Sequence, residues 1–300
     1  MPNRASLKAY GLLTLTSLIW AGNSVAGKIA AGHIDPILLT ALRWGIAAIV
    51  IIALSLRRLK SDWPIIKRHW ALLFCYGATG FALFNIFLYS ALTQTSAINV
   101  MIEQAGIPLI IFLGNFLLFR IKASVAQVTG FILTFAGVLI AASHGDIHQL
   151  LHLKLNVGDA LMLGAIVVYG GYTVSLKWKP AIHWQSLLTI PCIGGALTCV
   201  PFIIWRALTH PFGFPDATGW SVVAYAALFV ALLASATYVA GIELIGANRA
   251  GLFINLLPIF GVFLAVLILH EPLHSFHLVA LALVCAGIVL SEWSRAHLER

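Results

Sequence analysis

The sequence predicts an all-α integral membrane protein of ten transmembrane helices, organised as two five-helix repeats of inverted topology, residues 1–150 and 151–300. Three observations predict it. The chain is 61% hydrophobic and only 9% charged, where soluble domains carry about 25% charged residues; its mean hydropathy of +0.97 agrees. The apolar residues gather into ten runs, each close to the ~20 residues a helix needs to cross a bilayer core. The two halves also match one another at offsets of 149 and 150 residues, as Gly22 and Gly171 or Pro108 and Pro258 illustrate. Such self-similarity is the mark of a repeat architecture.

The runs are 10–30, 36–56, 70–92, 97–119, 124–143, 157–176, 185–208, 219–241, 247–269 and 274–294. The first follows Arg4 and Lys8 and ends near Ser24-Val25-Ala26, which imitates a cleavable signal peptide. Its recurrence in mid-chain at 160–177 argues for a membrane helix instead. Within it, Trp20 and Asn23 align with Tyr169 and Tyr172 of the sixth run, and Lys28 aligns with Lys177. The second run carries Arg43 eight residues in, where it has three readings: pairing an acid, capping a carbonyl or binding a substrate carboxylate. The third presents Asn85 and Tyr89 four apart, hence on one helical face, with Tyr76 upstream.

The fourth run is the centre of the design. Its one charge is Glu103, and Pro108 falls at its middle. Five residues at 1.5 Å rise put the acid roughly 7–8 Å from the midplane. Proline removes a backbone donor and breaks the helix, which membranes tolerate mainly beside protein or a water-filled cavity. An intramembrane acid is costly and reads as functional; a packing kink with a paired or snorkelled acid is the bland alternative. The ninth run repeats the device with Asn255 and Pro258. The sixth begins near Asp159, an acid that suits a helix N-terminus. The eighth offers Tyr225 and Tyr238, with Glu243 near its end.

Orientation follows from basic residues. With the N-terminus cytoplasmic, fourteen of the 18 Lys and Arg fall inside, Lys28, Lys154 and Arg206 outside, and Arg43 within a helix. Both termini are then cytoplasmic. Because each repeat has five helices, the second enters from the opposite side, a layout shared by many secondary transporters. Residues 57–69 read as a basic inner link and 209–218 as a proline-broken outer turn. His144, His148 and His152, four apart between the halves, suit either a zinc site or solvent-exposed histidines, and the lack of a Cys or of a nearby acid beyond Asp146 favours the second. Cys75, Cys192, Cys199 and Cys285 lack metal-ligand spacing and read as small core residues. Lys28 and Lys177, near helix ends, read as snorkelled anchors.

Tyr89, Ala91-Leu92, Thr95-Ser96-Ala97, Pro108, Gly130 and Ala136-Gly137-Val138 resemble the repeat of the drug/metabolite transporter superfamily, EamA type. In the second half Pro258, His270-Glu271-Pro272 and Ala286-Gly287-Ile288 resemble it again. The first half departs from the pattern, with Ile121 and Lys122 where the second has Glu271. Within the superfamily the chain most resembles the YddG-type amino-acid exporters. The resemblance implies a basket of ten helices around a central cavity and alternating access, with aromatic and other neutral amino acids as substrates and the cell inner membrane as location.

The polar intramembrane residues are scattered as in a pathway. There is no Gly-x-Ser-x-Gly, phosphate-cradling glycine loop or His-Glu-x-x-His, so neither catalysis nor a cofactor or metal is expected, and the placement of the basic residues argues against nucleic acid. The expected partners are a small-molecule substrate and the bilayer, with monomer and homodimer both open. Trp20, Asn23, Tyr76, Asn85, Tyr89, Glu103, Pro108, Tyr169, Tyr172, Tyr238, Asn255 and Pro258 form the expected cavity set. Aromatic rings suit amphipathic metabolites, although lipid-facing positions use them as freely. Other metabolite or drug classes in the same fold remain the alternative, and an integral-membrane enzyme a more distant one.

Overall fold

The computed structural model describes residues 4–120, 124–146, 156–209 and 213–298. Among these, the chain forms ten helical rods and no strand. They are α1 (Arg4–Ala30), α2 (Pro36–Arg68), α3 (Trp70–Leu92), α4 (Ala97–Phe119), α5 (Val125–Ala142), α6 (Val157–Trp178), α7 (Trp184–Thr209), α8 (Ala217–Ile245), α9 (Ala247–Leu269) and α10 (Ser275–Leu298). Eight of them, α2 to α9, are long and apolar enough to cross a membrane. The 27-residue α1 carries Asn23, Lys28 and several Ser and Thr, and α10 is apolar over Ser275–Ser291. Length and composition thus mark eight of the ten rods as spans.

The repeat is written into the backbone irregularities. α3 passes through a π-helical stretch at Gly77–Leu83, and α8 does the same at Tyr225–Leu233. α4 is interrupted after Gln104 and restarts at Ile107 with Pro108 in its first turn. There the turn is carried by i→i+3 bonds, Ala105 N–H to Ile102 at 3.2 Å and Gly106 N–H to Glu103 at 2.8 Å. α9 tightens to a 3₁₀ stretch at Leu252–Leu256 and restarts at Leu257 with Pro258 in its first turn. Proline is well placed there because a helix start has no use for its missing N–H. Both restarted helices end on a left-handed residue, Arg120 and His270, each at φ 53°.

Packing follows the same symmetry. α5 lies along α10 and α2 along α7; α1 packs on α8 as α3 packs on α6. At the α5–α10 crossing Gly130 faces the carbonyl of Gly287, and Gly137 faces that of Ala280. These two contacts exchange under the 150-residue offset. Small residues let membrane helices approach closely.

Two expectations are corrected. The basic stretch after the second run is not a loop: α2 continues to Arg68 and carries Pro64 within it. Of the cysteines, only Cys192 and Cys199 are buried; Cys285 is intermediate and Cys75 is exposed on the helix surface. Its position within an apolar run fixed its depth but not its face.

Candidate functional site

Arg43 is the hub of a buried polar cluster between α1, α2 and α3. Its Nη1 donates to Asn85 Oδ1 at 2.8 Å, Tyr89 Oη at 2.6 Å and Asn23 Oδ1 at 3.1 Å. Tyr89 in turn donates to Asn23 Oδ1 at 2.8 Å. The residue is 5% exposed, its Nε has no partner, and no described carboxylate lies within salt-bridge distance. The guanidinium lies 4.6 Å from the Trp44 ring centre, a cation–π contact. Asn85 and Tyr89 meet it because four residues make one turn of α3. Of the three readings of Arg43, pairing with an acid is not what the described residues show: neutral oxygens hold it.

The π-helical stretches help build this centre. A π turn shifts the backbone ladder, and the Phe81 carbonyl accepts from Trp44 Nε1 at 2.9 Å and Asn85 Nδ2 at 2.7 Å. At the equivalent place in α8, the Val230 carbonyl accepts from Trp20 Nε1 at 3.3 Å. Around the cluster, Tyr169 packs on Phe84 with ring centres 4.5 Å apart and on Tyr172 at 5.5 Å. Tyr172 meets Tyr76 edge-on at 5.8 Å. Trp20 pairs with Tyr238 at 5.2 Å. Tyr76 is the odd member: it is 1% exposed and its hydroxyl donates to the Ser175 carbonyl at 2.7 Å.

The end of the molecule that is poor in positive charge, here termed the outer end, is closed by polar contacts between the halves. Asp35 caps α2 and accepts from Arg206 Nε at 3.0 Å. His33 Nδ1 lies 2.6 Å from Asp216, which caps α8. The Gly219 N–H bond to Asp216, and then its His33 neighbour, hold that carboxyl below the usual aspartate range. Glu271 accepts the N–H groups of Ala97 and Ile98 at 2.8 and 3.0 Å, stabilising the N-terminus of α4. Lys28 is not a free anchor: its Nζ donates to the carbonyls of Leu92 and Thr95, capping α3. Lys177, which belongs to the opposite end, sits 4.2 Å from the ring centre of Phe119. At the other end a cleft of about 470 Å³ opens beside Tyr10, Arg249, Leu252, Phe253 and Leu256.

Glu103 lies elsewhere, in a second polar group. It is fully buried and no donor reaches either carboxyl oxygen; its neighbour is the carboxyl of Asp159. Asp159, in the first turn of α6, is also fully buried and binds His144 Nε2 at 2.9 Å. His144 Nε2 lies 3.2 Å from Asn99 Nδ2, and Asn99 Oδ1 lies 3.0 Å from His277 Nε2. His144 is thus committed to this network, not simply solvated, and it leaves α5 in a left-handed conformation that ends the helix. His148 and His152 lie outside the described residues. Among the described residues no group of three or more His, Cys, Asp or Glu is arranged to hold a metal.

Of the residues expected to line a cavity, Asn23, Asn85 and Tyr89 converge on Arg43, while Trp20, Tyr169, Tyr172 and Tyr238 form the aromatic contacts around it. Glu103 belongs to the outer group. Pro108 is exposed, Pro258 buried and Asn255 half-buried in the 3₁₀ stretch. The sequence set omitted Arg43 and Trp44. A lone cation eight residues into an apolar run was the available signal. Asp159 and His144 were missed because their partnership joins two helices across the stretch between the halves.

These features define a polytopic helical membrane protein built from two repeats. The model of the EamA-like transporter family matches residues 7–143 and again 156–293, one match per half. The chain belongs to that family. The uncharacterized transporter YetK of Bacillus subtilis is 27% identical over 289 residues, covering 96% of this chain and 88% of YetK. An uncharacterized transporter of Archaeoglobus fulgidus is 24% identical, covering 95% and 97%. A solved crystal structure superposes with a TM-score of 0.65 at 20% identity over 99% of both chains, a likeness of fold. With its family and relatives named as transporters, the protein is a membrane transporter and not an enzyme.

Proposed function

We propose that this transporter moves neutral amino acids, apolar and aromatic ones preferentially, by alternating access of its two repeats, in the direction of export across the cell inner membrane. The observation that carries the reading is Arg43. A buried guanidinium without an acidic partner is a costly arrangement; a substrate carboxylate entering the cluster would supply the missing charge in a geometry arginine matches well. The rings of Tyr169, Tyr172, Trp20 and Tyr238 offer apolar faces for the side chain. The sparse charge of the cluster's surroundings disfavours dianions and long cations.

Ten spans with both termini cytoplasmic complete the proposed topology. α1 and α10 have the lengths for it, and the fourteen inner basic residues support its sense. The test is counterflow of labelled phenylalanine in proteoliposomes. Unlabelled leucine and phenylalanine should compete and glutamate and lysine should not. A preference for nucleotide sugars or dicarboxylates would refute the substrate class while leaving the family untouched.

A further inference from the structure

Three features recommend the Glu103 group as more than packing. The acid is fully buried and neither oxygen has a donor in reach, its neighbour being another carboxyl, that of Asp159. Asp159, its neighbour, is also fully buried and has an unpartnered Oδ1. The other Asp159 oxygen is bound by His144, whose side chain is 41% exposed and stands at the outer end. Two carboxylates this deep in a membrane protein would repel one another and neither could be solvated. A buried acid pair of this kind is relieved when it holds a proton, and here a histidine connects it to the surface.

We propose that Glu103 and Asp159 form a proton-binding site loaded from the outer face through His144, and that this proton is the coupling ion of the transporter. The proposal rests on the transport reading and adds to it the energy source.

The transfer is balanced. The half-exposed His144 ring takes a proton from water and releases one from Nε2 to Asp159 Oδ2 along the 2.9 Å contact. Asp159 passes a proton on to a Glu103 oxygen. No bond other than O–H and N–H changes and no other reactant is needed.

Of the other titratable groups near the site, the His274 ring stacks on Phe276 and lies against His277, and the rest are engaged as follows. On the α10 side His277 binds Asn99 Oδ1, and its Nδ1 accepts from the His274 N–H. Glu271, between α9 and α10, holds the α4 N-terminus, and Lys28 of α1 is spent on the carbonyls of Leu92 and Thr95. Asp146, just beyond α5, is also engaged. Asn99 ties His144 to His277 and holds the entrance ring in place.

The position in the fold fits coupling. Glu103 lies one residue before the last of the first α4 segment, and its carbonyl accepts the Gly106 N–H at the interruption. A change of charge on Glu103 therefore acts at the break that separates the two halves of α4. Such a break is where a rocking repeat would bend.

Infrared difference spectroscopy of the purified full chain tests the site without any substrate. Raising the pH from acid to alkaline should remove a protonated-carboxyl carbonyl band in the parent. Glu103→Gln should abolish that band. His144→Ala should keep the band but slow its loss after a pH jump. Asp159→Asn provides the second buried variant if Glu103→Gln folds poorly, and it should also slow proton exchange. In proteoliposomes loaded with a pH-sensitive dye, phenylalanine-driven proton movement should fall about tenfold or more in Glu103→Gln while phenylalanine self-exchange continues. A carboxyl band that never titrates, a titrating band unaffected by Glu103→Gln, or a band moved by sodium and not by pH would overturn the proposal. If no labelled solute exchanges at all, the substrate reading fails, and the infrared arm still decides the proton site.

Discussion

Gly130 on α5 and Gly287 on α10 meet backbone to backbone, so that a methyl group on either would press into the carbonyl oxygen of the other. The contact between Gly137 and Ala280 is its symmetry mate. Gly287→Ala should therefore force the helices apart and destabilise the protein by about 1–3 kcal/mol, the usual cost of overpacking. Gly171 has nothing within 4 Å of the same position, so Gly171→Ala should be neutral or stabilise by up to about 1 kcal/mol. Thermal unfolding in one detergent compares the two; equal effects would show that the crossing is looser than described.

Much of this crossing was legible in the sequence. Gly137 and Gly287 recur at one offset, and a repeated glycine in an apolar run signals close approach. Pro108 and Pro258 likewise announced the interruptions of α4 and α9. The π-helical stretches were not legible: Gly77–Leu83 and Tyr225–Leu233 share Ala78, Ala82 and Leu83 with Ala227, Ala231 and Leu232 at the 149-residue offset, but alanine and leucine serve an α-helix equally well, and what the stretches do is expose the Phe81 and Val230 carbonyls to tryptophans from other helices. Arg43 showed its depth but not its partners. Hydrophobic periodicity records which residues avoid water, whereas Asn23, Asn85 and Tyr89 reach Arg43 through tertiary packing.

The two midplane prolines should separate folding from transport. Pro108 is exposed at the restart of α4, so Pro108→Ala removes little buried surface. Its stability change should stay within about 0.5 kcal/mol. Pro258 is buried and should cost more. If the interruptions are where the repeats bend, both variants should slow counterflow by a larger factor than they lower folded yield. Parental rates in both would make the prolines tolerated kinks.

Acid should loosen the outer end. Asp216 accepts from the Gly219 N–H at 2.9 Å and meets His33 at 2.6 Å, and its carboxyl titrates below the ordinary range. A carboxylate with a depressed native pKa contributes its stability fully above about pH 4, the unfolded aspartate value. That contribution fades as the pH falls through the lower native value. Asp216→Asn should flatten the acid limb of a plot of Tm against pH and leave neutral stability little changed, since the site is exposed. An unchanged acid limb would remove Asp216 from the account.

The proposed orientation is open to direct labelling. In a background without the native cysteines, Lys60→Cys should be protected from an impermeant thiol reagent in intact cells. Phe214→Cys, on a side chain 97% exposed at the outer end, should react. The reverse pattern would invert the topology and, with it, the sidedness of the proton site.

Arg43 offers the sharpest test of substrate chemistry. Its one nitrogen Nη1 serves three oxygens on two helices, so a purely structural role would be to hold α1 and α3 on α2. In that role any ligand would suffer equally from its loss. If instead the guanidinium receives the substrate carboxylate, the defect should depend on that carboxylate. Arg43→Lys keeps the charge and loses the planar fork. Affinity for phenylalanine should fall about tenfold, equivalent to ~1.4 kcal/mol, whereas phenylalanine methyl ester, which lacks the carboxylate, should bind the parent and Arg43→Lys alike. Tyr89→Phe removes the hydroxyl and with it two hydrogen bonds, the one from Arg43 and the one to Asn23, and should cost about 1–3 kcal/mol of stability, with a smaller effect on affinity. Binding is measured by titration calorimetry and stability by thermal unfolding of the same preparations. Equal losses for acid and ester in Arg43→Lys would assign the residue to the scaffold and send the search for the carboxylate subsite elsewhere.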